Sequence, residues 1–322
     1  MLFSLEVPSK NYHYERRFAS RAARRALQQG LRVDRNCRFA VCCGARPVPS
    51  RSSQRASSRQ KSDSPLSERE QAPTKISVVT ATYNCVGQLP NLLESLRKQT
   101  DGNFEWVVAD GGSSDGTLEL LRSIADVDVV ISSQPDFGIY DALNRALRSA
   151  SGEYYIVAGA DDCFYPDAIA NYRRAIDTSG ADIITARGMY GLHCFRIKNG
   201  PAWLFGDKAF IAQHSLGTAF RRDLHSRFGF YSRKFPIAAD SFFVLQACKG
   251  GATRYDAAFV AGAIGRHGVS YVDWVGSATE LFRVQLLVGC ALIPQVLLLL
   301  LRILKGSSAK VRSLHNAIFR RL

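Results

Sequence analysis

Short apolar runs alternate with amphipathic segments through residues 74–186. Runs of β-branched residues are typical of buried parallel strands, while apolar residues three or four positions apart predict helices. Strands are predicted at Ile76–Ala81, Trp106–Ala109, Val127–Ile131, Tyr154–Ala158 and Asp182–Ala186, and helices at Pro90–Gln99, Gly116–Ile124, Ile139–Leu147 and Pro166–Thr178. This alternation predicts an α/β fold, with a mostly parallel sheet flanked by helices and right-handed connections.

The pattern becomes less regular after residue 188. We expect extended chain at Met189–Ile197 and Tyr255–Ile264, a loop that enters a short helix at Ser215–Arg222, and a helix at Ala239–Cys248. An uncharged run follows at Val284–Leu301, with a basic tail after it. Its length is at the lower limit for a bilayer-spanning helix. We therefore expect this run to contact the membrane, either across it or in its interface, and a helix packed on the core is the alternative.

The net charge of +14 is a property of the chain ends. Residues 1–75 carry 16 Lys or Arg and 6 Asp or Glu, and residues 302–322 carry 6 basic residues and no acidic one, so the segment between them is slightly acidic. A nucleic-acid-binding body is therefore not expected. Residues 46–72 are rich in Ser, Arg, Gln and Pro, which predicts a disordered basic extension over residues 1–73. An arm that binds acidic lipid or RNA is the alternative interpretation.

Clusters of polar residues follow the predicted strands where these end. The clusters are Thr80, Tyr83 and Asn84 after the first strand, Asp110–Gly116 after the second, and Asp161 and Asp162 after the fourth. In open α/β sheets, ligands bind beyond the carboxyl ends of the strands. The adjacent carboxylates, which we expect to be exposed, would repel each other unless a hard cation bridged them to a diphosphate. The alternatives are an Asx-type turn at Asp115 and a solvated turn at the Asp pair.

Four segments, TATYN, VVADGGSSDGT, PDFGIYDALNRAL and GADDCFYPDAI, together resemble family 2 inverting glycosyltransferases with the GT-A fold. The segment PDFGIYDALN is similar to bacterial enzymes of exopolysaccharide assembly, such as the colanic acid transferases. The resemblance implies a GT-A domain with a Rossmann-like sheet over residues 74–275, followed by a C-terminal apolar helix and basic tail over residues 276–322. Many relatives have an acid where this chain has Gly111, and another where it has Gly159.

The resemblance implies a donor site made of nucleotide-facing residues, a supporting acid, and residues that border the diphosphate and the sugar. The nucleotide-facing residues are Thr80, Tyr83 and Asp110, and Asp115 is the supporting acid. Asp136, Gly138 and Asn144 border the diphosphate and the sugar, and Asn84 is a further donor-binding residue. Asp161 and Asp162 match the metal-binding D-x-D region of the family. The implied ligands are a nucleotide-diphosphate sugar and a divalent cation, Mg²⁺ or Mn²⁺.

The segments HSLGTAFRRDL and FPIAADSFFVLQA resemble the acceptor half of the same enzymes, in which Asp240 matches the catalytic base. An acceptor hydroxyl must lose its proton as it attacks the anomeric carbon, and a positioned carboxylate can take that proton. A helix cap is the alternative role for Asp240, in which case Asp223 and Glu280 are the next candidates for the base. His214 is expected to shape the acceptor pocket and His267 to approach the diphosphate, while a structural role is the alternative for both.

The resemblance therefore implies an inverting hexosyltransferase that uses a lipid-linked or saccharide acceptor in exopolysaccharide or surface polysaccharide assembly. The eight cysteines contain no C-x-x-C pair, which favours reduced thiols in the cytosol, so we expect the protein at the inner face of the cell membrane. Two other functions stay open. One is a nucleotide-sugar-binding protein without turnover, and the other is a nucleotidyltransferase, which would need a basic, Gly-rich segment where TATYNCVG has no Lys or Arg.

Overall fold

A central mixed β-sheet organises the computed structural model, which describes residues 74–265 and 273–318, with side chains up to residue 307. All of the described residues belong to one structural unit, Gln71–Leu322. The extension predicted over residues 1–73 and the candidate His267 lie outside the described residues. The described chain thus begins two residues before its first strand.

Nine strands of the described chain form the sheet, in an order that differs from their order in the sequence. They are β1 (Ile76–Thr82), β2 (Phe104–Asp110), β3 (Val129–Ser133), β4 (Tyr154–Val157), β5 (Cys163–Phe164), β6 (Ile183–Tyr190), β7 (His193–Cys194), β8 (Thr218–Arg221) and β9 (Arg254–Ala263). Across the sheet the order is β3-β2-β1-β4-β8-β6-β9-β5, and β7 pairs with β6. The strands β2 and β4 therefore flank β1, although they are far apart in the sequence.

The first half of the sheet is parallel, as the alternating sequence pattern predicts. Strand β1 pairs with β2 and β4, and β2 pairs with β3, all in parallel. The register places Thr82, the last residue of β1, opposite Asp110, the last residue of β2. Since parallel strands end at the same edge, their loops meet there.

The second half of the sheet adds antiparallel pairs, so the whole sheet is mixed. The loop predicted at Ser215–Arg222 is wrong in part, because β8 forms there and lies antiparallel between β4 and β6. The strand predicted at Met189–Ile197 is instead the hairpin of β6 and β7. Its turn contains Gly191, whose φ of 58° is left-handed. The first difference comes from pairing with distant strands, whereas the hairpin pairs residues that are close together in the sequence.

Helices cover both faces of the sheet. They are α1 (Leu89–Arg97), α2 (Thr117–Arg122), α3 (Ile139–Ser149), α4 (Ala168–Ser179), α5 (Ala202–Phe205), α6 (Leu224–Phe228), α7 (Ala239–Lys249), α8 (Trp274–Leu287) and α9 (Leu292–Ile318), with a 3₁₀ turn at Gly206–Ala209. Alternate residues of β1 enter two separate apolar clusters. Val78 packs in the cluster of α1 and α4, and Val79 in the cluster of α3 and α7. The site is therefore carried by a sheet with a buried core on each side.

The uncharged run Val284–Leu301 does not form one helix, which corrects the prediction of a single C-terminal apolar helix. Helix α8 ends at Leu287, and Gly289 follows with a left-handed φ of 83° that glycine adopts without strain. Helix α9 then begins at Leu292. Within the residues described, no helix combines the length and the apolar character that a membrane crossing requires.

Two glutamines inside the apolar run attach both helices to α5. The side-chain amides of Gln285 and Gln295 donate hydrogen bonds to the carbonyl of Trp203, at 2.9 and 2.7 Å. Arg302 donates to Oε1 of Gln285 at 3.1 Å. Both glutamines are buried, and such groups are costly in a core unless they are hydrogen-bonded. The polar residues that interrupt the run are therefore docking groups of a helical hairpin.

Candidate active site

Asp110 ends β2 at the carboxyl edge of the parallel strands and is fully buried. Its carboxylate accepts five hydrogen bonds, from the hydroxyls of Thr82, Ser113 and Ser133 and from two amides of the following loop, residues 111–116. Burial would raise the pKa of this carboxyl, but the hydrogen bonds outweigh it and hold the pKa below its ordinary value. Asp110 is thus an ionised anchor that sets the shape of the loop.

Asn84 and Asp115 hold the same loop from the side of β1. The amide of Asn84, whose φ is 47°, donates to Oγ of Ser113 at 2.9 Å, and its side-chain oxygen accepts the amide of Ser114 at 2.9 Å. Asp115 accepts the amide of Val86 at 3.0 Å and that of Thr117 at 3.0 Å. The Asx-type turn that the sequence left open is therefore present at Asp115, together with a contact that ties the loop to the residues after β1.

Tyr83, Gly111 and Asp136 meet at one face of the loop. Tyr83 is 67% exposed. A Cβ on Gly111 would lie 2.7 Å from Oδ2 of Asp136 and 3.3 Å from the Tyr83 ring, so a side chain at this position would require the Asp136 carboxylate to shift. Arg145 lies 3.9 Å from Asp136 and donates to the carbonyl of Asp110 at 2.6 Å. The structure thus brings these predicted donor residues together around Gly111.

The amino end of α3 opens on the same edge of the sheet. Gly138 precedes this helix with a φ of 107°, which a side chain would strain. Asp136 accepts the amide of Gly138 at 3.0 Å, and Asp141 accepts the amide of Phe137 at 3.2 Å and pairs with Arg233. The remaining amides of the first helical turn and the positive end of the helix dipole favour an anion.

Two residues predicted at the donor site lie in the interior instead. Thr80 is fully buried, and its hydroxyl accepts a hydrogen bond from the Trp106 indole at 2.9 Å. The side-chain amide of Asn144 pairs twice with the backbone of Tyr231, at 2.8 and 3.0 Å. Both side chains therefore support the site from behind, and Thr82, two residues after Thr80, is the threonine at the edge.

Asp161 and Asp162 follow β4 but have different surroundings. The sequence predicts two exposed carboxylates, and this is wrong for Asp162, which is 2% exposed. Asp162 accepts hydrogen bonds from the amides of Gly159 and Gly265 and from Oγ of Ser215, so both of its oxygens are used. Burial raises the pKa of Asp162 to about 6. Asp162 thus orders the loop, while Asp161 is partly exposed beside it.

The residues at this edge are compatible with a divalent cation of the magnesium type. The described chain contains no group of three His, Cys, Asp or Glu side chains arranged around a common metal position. Magnesium, however, is commonly bound by one or two carboxylates together with substrate phosphates rather than by a complete protein cage. The adjacent carboxylates of Asp161 and Asp162 fit that pattern.

Asp240 lies in the first turn of α7 with its side chain one quarter exposed. Oδ1 of Asp240 lies 2.9 Å from the Tyr140 hydroxyl and accepts the amide of Ser241 at 2.7 Å. Burial raises the pKa of Asp240 above its ordinary value, against the hydrogen bonds from Ser241 and Tyr140. A carboxyl with a raised pKa is a stronger base than an ordinary aspartate, and such perturbed groups are frequent at functional sites.

Neighbouring residues connect Asp240 to the donor edge. Nδ1 of His214 lies 3.9 Å from Oδ2 of Asp240, and the next residue, Ser215, donates to Asp162 at 2.6 Å. Tyr140, which contacts Asp240, is two residues after Gly138 at the start of α3. The candidate base is therefore held by the same segments that build the candidate donor site.

The two alternative bases have other surroundings. Glu280 accepts the amides of Ile237 and Ala238 at 2.9 Å each, so it holds the backbone that precedes Asp240. Asp223 is exposed at the amino end of α6. These positions favour Asp240 as the carboxylate that reaches an acceptor.

Tyr140 and Tyr231 are site residues that the sequence analysis missed. Tyr140 contacts Asp240 and the carbonyl of Ile237, and the Tyr231 hydroxyl lies 2.8 Å from Nε2 of His214. Buried tyrosines usually place their hydroxyls on a polar partner, but the sequence does not identify that partner. The sequence signal for Tyr140 was its position two residues after Gly138, a predicted donor residue that directly precedes α3.

The fold is that of glycosyltransferases of the GT-A type. The profile of glycosyl transferase family 2 matches residues 77–234. A "PGL/p-HBAD biosynthesis glycosyltransferase" of Mycobacterium tuberculosis is 31% identical over 196 residues, which cover 57% of this chain and 74% of the relative. The chain belongs to glycosyl transferase family 2.

Solved structures with low sequence identity share the fold. Staphylococcus aureus TarS 1–349 in complex with UDP-GlcNAc is 20% identical, with a TM-score of 0.54, and the match covers 70% of each chain. The match to the longer TarS chain covers 42% of that chain. A mannosyltransferase of Pyrobaculum calidifontis in complex with GDP-Man and Mn²⁺ is 19% identical, with a TM-score of 0.55, and the match covers 77% of this chain and 81% of that one. These likenesses support the GT-A fold.

Proposed function

We propose that this glycosyltransferase moves a hexose from a nucleotide-diphosphate donor to an acceptor hydroxyl, with inversion at the anomeric carbon. The observation that carries the proposal is the position of Asp240. One of its carboxylate oxygens is held by Tyr140 and Ser241, while the other faces His214 in a side chain one quarter exposed. A single base on the acceptor side suits direct displacement, in which the sugar is never attached to the protein.

The reaction follows from this geometry. The acceptor hydroxyl donates its proton to Oδ2 of Asp240, and its oxygen forms the new bond to the anomeric carbon. The bond from that carbon to the diphosphate breaks, and its electron pair leaves with the nucleoside diphosphate. The helix amides at the start of α3 lie at the edge where negative charge collects on the leaving group. Attack and departure on opposite sides of the carbon invert its configuration.

Asp161 would hold the divalent cation, Mg²⁺ or Mn²⁺, and Asp162 would keep its loop in place. The cation, when bound, neutralises charge on the departing diphosphate. Asp162 supports this arrangement through its hydrogen bonds to Gly159, Gly265 and Ser215. The mannosyltransferase with GDP-Man and Mn²⁺ supports the proposal by its fold.

The donor class is tested by thermal denaturation of the full-length chain with UDP-, GDP- and dTDP-sugars, with and without Mn²⁺. A ligand that binds only the folded protein raises its stability by RT ln(1 + [L]/Kd), about 2.7 kcal/mol at a hundredfold excess over Kd. We expect one nucleotide class to raise Tm in the presence of Mn²⁺, and transfer assays with that donor then to give turnover. Stabilisation by none of the three classes would contradict the proposed donor.

We further propose that the enzyme works at the inner face of the cell membrane on a lipid-linked or saccharide acceptor for surface polysaccharide. The support is a stripe of exposed apolar residues along α9: Leu292, Ile293, Val296, Leu297, Leu300, Leu301 and Leu304. Their spacing places them on one face of the helix, about 18 Å long at 1.5 Å per residue. Lys305 is exposed at the end of this α9 stripe, and the chain after it is basic. Such a helix suits a position in the interface of an anionic bilayer.

Membrane contact is tested by sedimentation of the full-length chain with vesicles. We expect binding to vesicles rich in anionic lipid, and the double substitution Leu297→Glu with Leu301→Glu should reduce it about tenfold or more, because each change removes buried apolar area and adds repulsion. Leu192→Glu is the matched control, since Leu192 is 72% exposed but lies in the turn between β6 and β7. Equal loss in the control and the double variant would contradict the assignment to the α9 stripe.

A further inference from the structure

A chain of hydrogen bonds runs behind Asp240 through the buried side chains of His225, Tyr155 and Tyr231 to the largely buried His214. Nδ1 of His225 lies 3.0 Å from the carbonyl of Gly229, and its Nε2 lies 2.8 Å from the Tyr155 hydroxyl. The Tyr155 and Tyr231 hydroxyls are 2.9 Å apart, and the Tyr231 hydroxyl lies 2.8 Å from Nε2 of His214. The proposed reaction takes no proton from this chain of hydrogen bonds, so the role of these hydrogen bonds needs a separate explanation.

The direction of every bond in the chain follows from its far end. The carbonyl of Gly229 can only accept, so Nδ1 of His225 carries a proton and donates. Neutral His225 then accepts at Nε2, which requires Tyr155 to donate to it. The Tyr155 oxygen in turn accepts from Tyr231, and the Tyr231 oxygen accepts from Nε2–H of His214. Burial lowers the pKa of both histidines to about 4, so both are neutral in this arrangement.

The chain therefore fixes His214 in one tautomer, with a proton on Nε2 and a lone pair on Nδ1. That lone pair faces Oδ2 of Asp240 across 3.9 Å, a distance too long for a hydrogen bond. Two acceptors face each other there and no proton lies between them. On the other side of the carboxyl, Tyr140 can donate to Oδ1 or to the carbonyl of Ile237.

We infer that His214 is a positioning residue for Asp240, because it withholds a hydrogen bond from the carboxylate and offers an acceptor to the protonated acid. This inference rests on the proposed role of Asp240 as the base. The ionised carboxylate gets no donor from His214, which keeps it basic. After Oδ2 has taken the proton of the acceptor hydroxyl, the protonated acid is drawn towards Nδ1, closes the 3.9 Å gap and donates that proton in a hydrogen bond that stabilises the product state.

Other charged groups also face the pair. Asp207 and Lys208 approach from the 3₁₀ turn. The charge of Asp207 raises the pKa of His214, and the charge of Lys208 lowers the pKa of Asp240. Glu280 approaches from α8 next to Tyr140. Burial and the charge of Asp240 raise the pKa of Asp207 to about 6. A pH profile alone would therefore mix several titrations, so the test needs a direct reading of the His214 tautomer.

The test combines ¹⁵N NMR of histidine-labelled full-length protein with the pH dependence of kcat/KM. In the unmodified chain, His214 should show a protonated Nε2 and an unprotonated Nδ1, and its signals are identified by their loss in His214→Gln. Tyr231→Phe removes the acceptor of Nε2–H, so the proton should move to Nδ1 and donate to Asp240. The hydrogen-bonded carboxylate is then a weaker base, so the acid limb should move to lower pH and kcat should fall about tenfold.

Tyr172→Phe is the matched control, because the buried Tyr172 hydroxyl donates to the carbonyl of Leu216 in the same segment but lies outside the chain. It should leave the tautomer and the acid limb unchanged. A proton on Nδ1 of His214 in the unmodified chain would overturn the inference, as would an unchanged tautomer and acid limb in Tyr231→Phe. If Tyr231→Phe does not fold, the tautomer of the unmodified chain still decides. Normal turnover of Asp240→Asn would instead overturn the role of the base, and the two failures are thereby distinguished.

Discussion

Replacing Asp240 by asparagine should lower kcat on the order of 10²-fold or more while the affinity for the donor stays nearly unchanged. In the proposed mechanism the carboxylate takes the acceptor proton, which happens only as the reaction proceeds. The asparagine oxygen can still accept from Tyr140 and from the amide of Ser241, so the local structure should persist. Steady-state kinetics with a saturating acceptor, together with donor titration by calorimetry, measure the two effects separately.

Asp223→Asn is the control for this prediction. Asp223 is also an acid at the start of a helix, but it is exposed at α6, and its substitution should change kcat less than about twofold. Near-normal turnover in Asp240→Asn would mean that Asp240 caps α7 and that another group accepts the proton. A large loss in both variants would point to a general effect of removing negative charge.

Replacing Asp161 by asparagine should weaken Mn²⁺-dependent nucleotide binding on the order of tenfold or more and leave the free energy of unfolding almost unchanged. Asp161 is partly exposed at the edge of the sheet, and in the proposed arrangement its carboxylate holds the cation. Calorimetric titration of the nucleoside diphosphate with and without Mn²⁺ measures the first effect, and urea denaturation measures the second. The same affinity for Mn²⁺ and nucleotide in this variant would rule out Asp161 as the ligand.

Asp162→Asn is the informative comparison, because the same chemical change is made one residue away. Asp162 is buried and accepts three hydrogen bonds. The NH2 group of an asparagine cannot accept a hydrogen bond, so it would leave at least one of these donors unpaired. We expect this variant to lose about 1–3 kcal/mol of the free energy of unfolding. If Asp162→Asn lowers stability and Asp161→Asn weakens binding, the two adjacent residues have the separate roles that the structure suggests.

The backbone near the site could be predicted because it depends on local pattern. The β-branched runs of β1, β2 and β4 identify parallel strands, and such strands bring Asp110 and Asp161 to one edge whatever their side-chain contacts. β8 could not be found in this way. It has four residues, and its pairs with β4 and β6 lie far away in the sequence. Short strands of this kind are stabilised by their neighbours and not by their own composition.

The site could be predicted only in part, because the sequence does not give the direction of each side chain. Thr80 and Thr82 point to the same face of β1, but the Trp106 indole covers Thr80 while Thr82 reaches Asp110. Asn144 lies on α3 where it turns inward to Tyr231. Each of these residues has the polar type that a donor site needs, and only the packing around it decides whether it contacts a ligand or supports the loops.

The contact between Gly111 and Asp136 also limits the order in which this sequence can evolve. Any side chain at position 111 would meet Oδ2 of Asp136 at 2.7 Å, so the first substitution there would displace an acid that caps the approach to α3. A lineage with an acid at position 111 must therefore place the side chain at position 136 differently. The two positions are therefore expected to be coupled, so that the effect of a substitution at 111 should depend on the residue at 136.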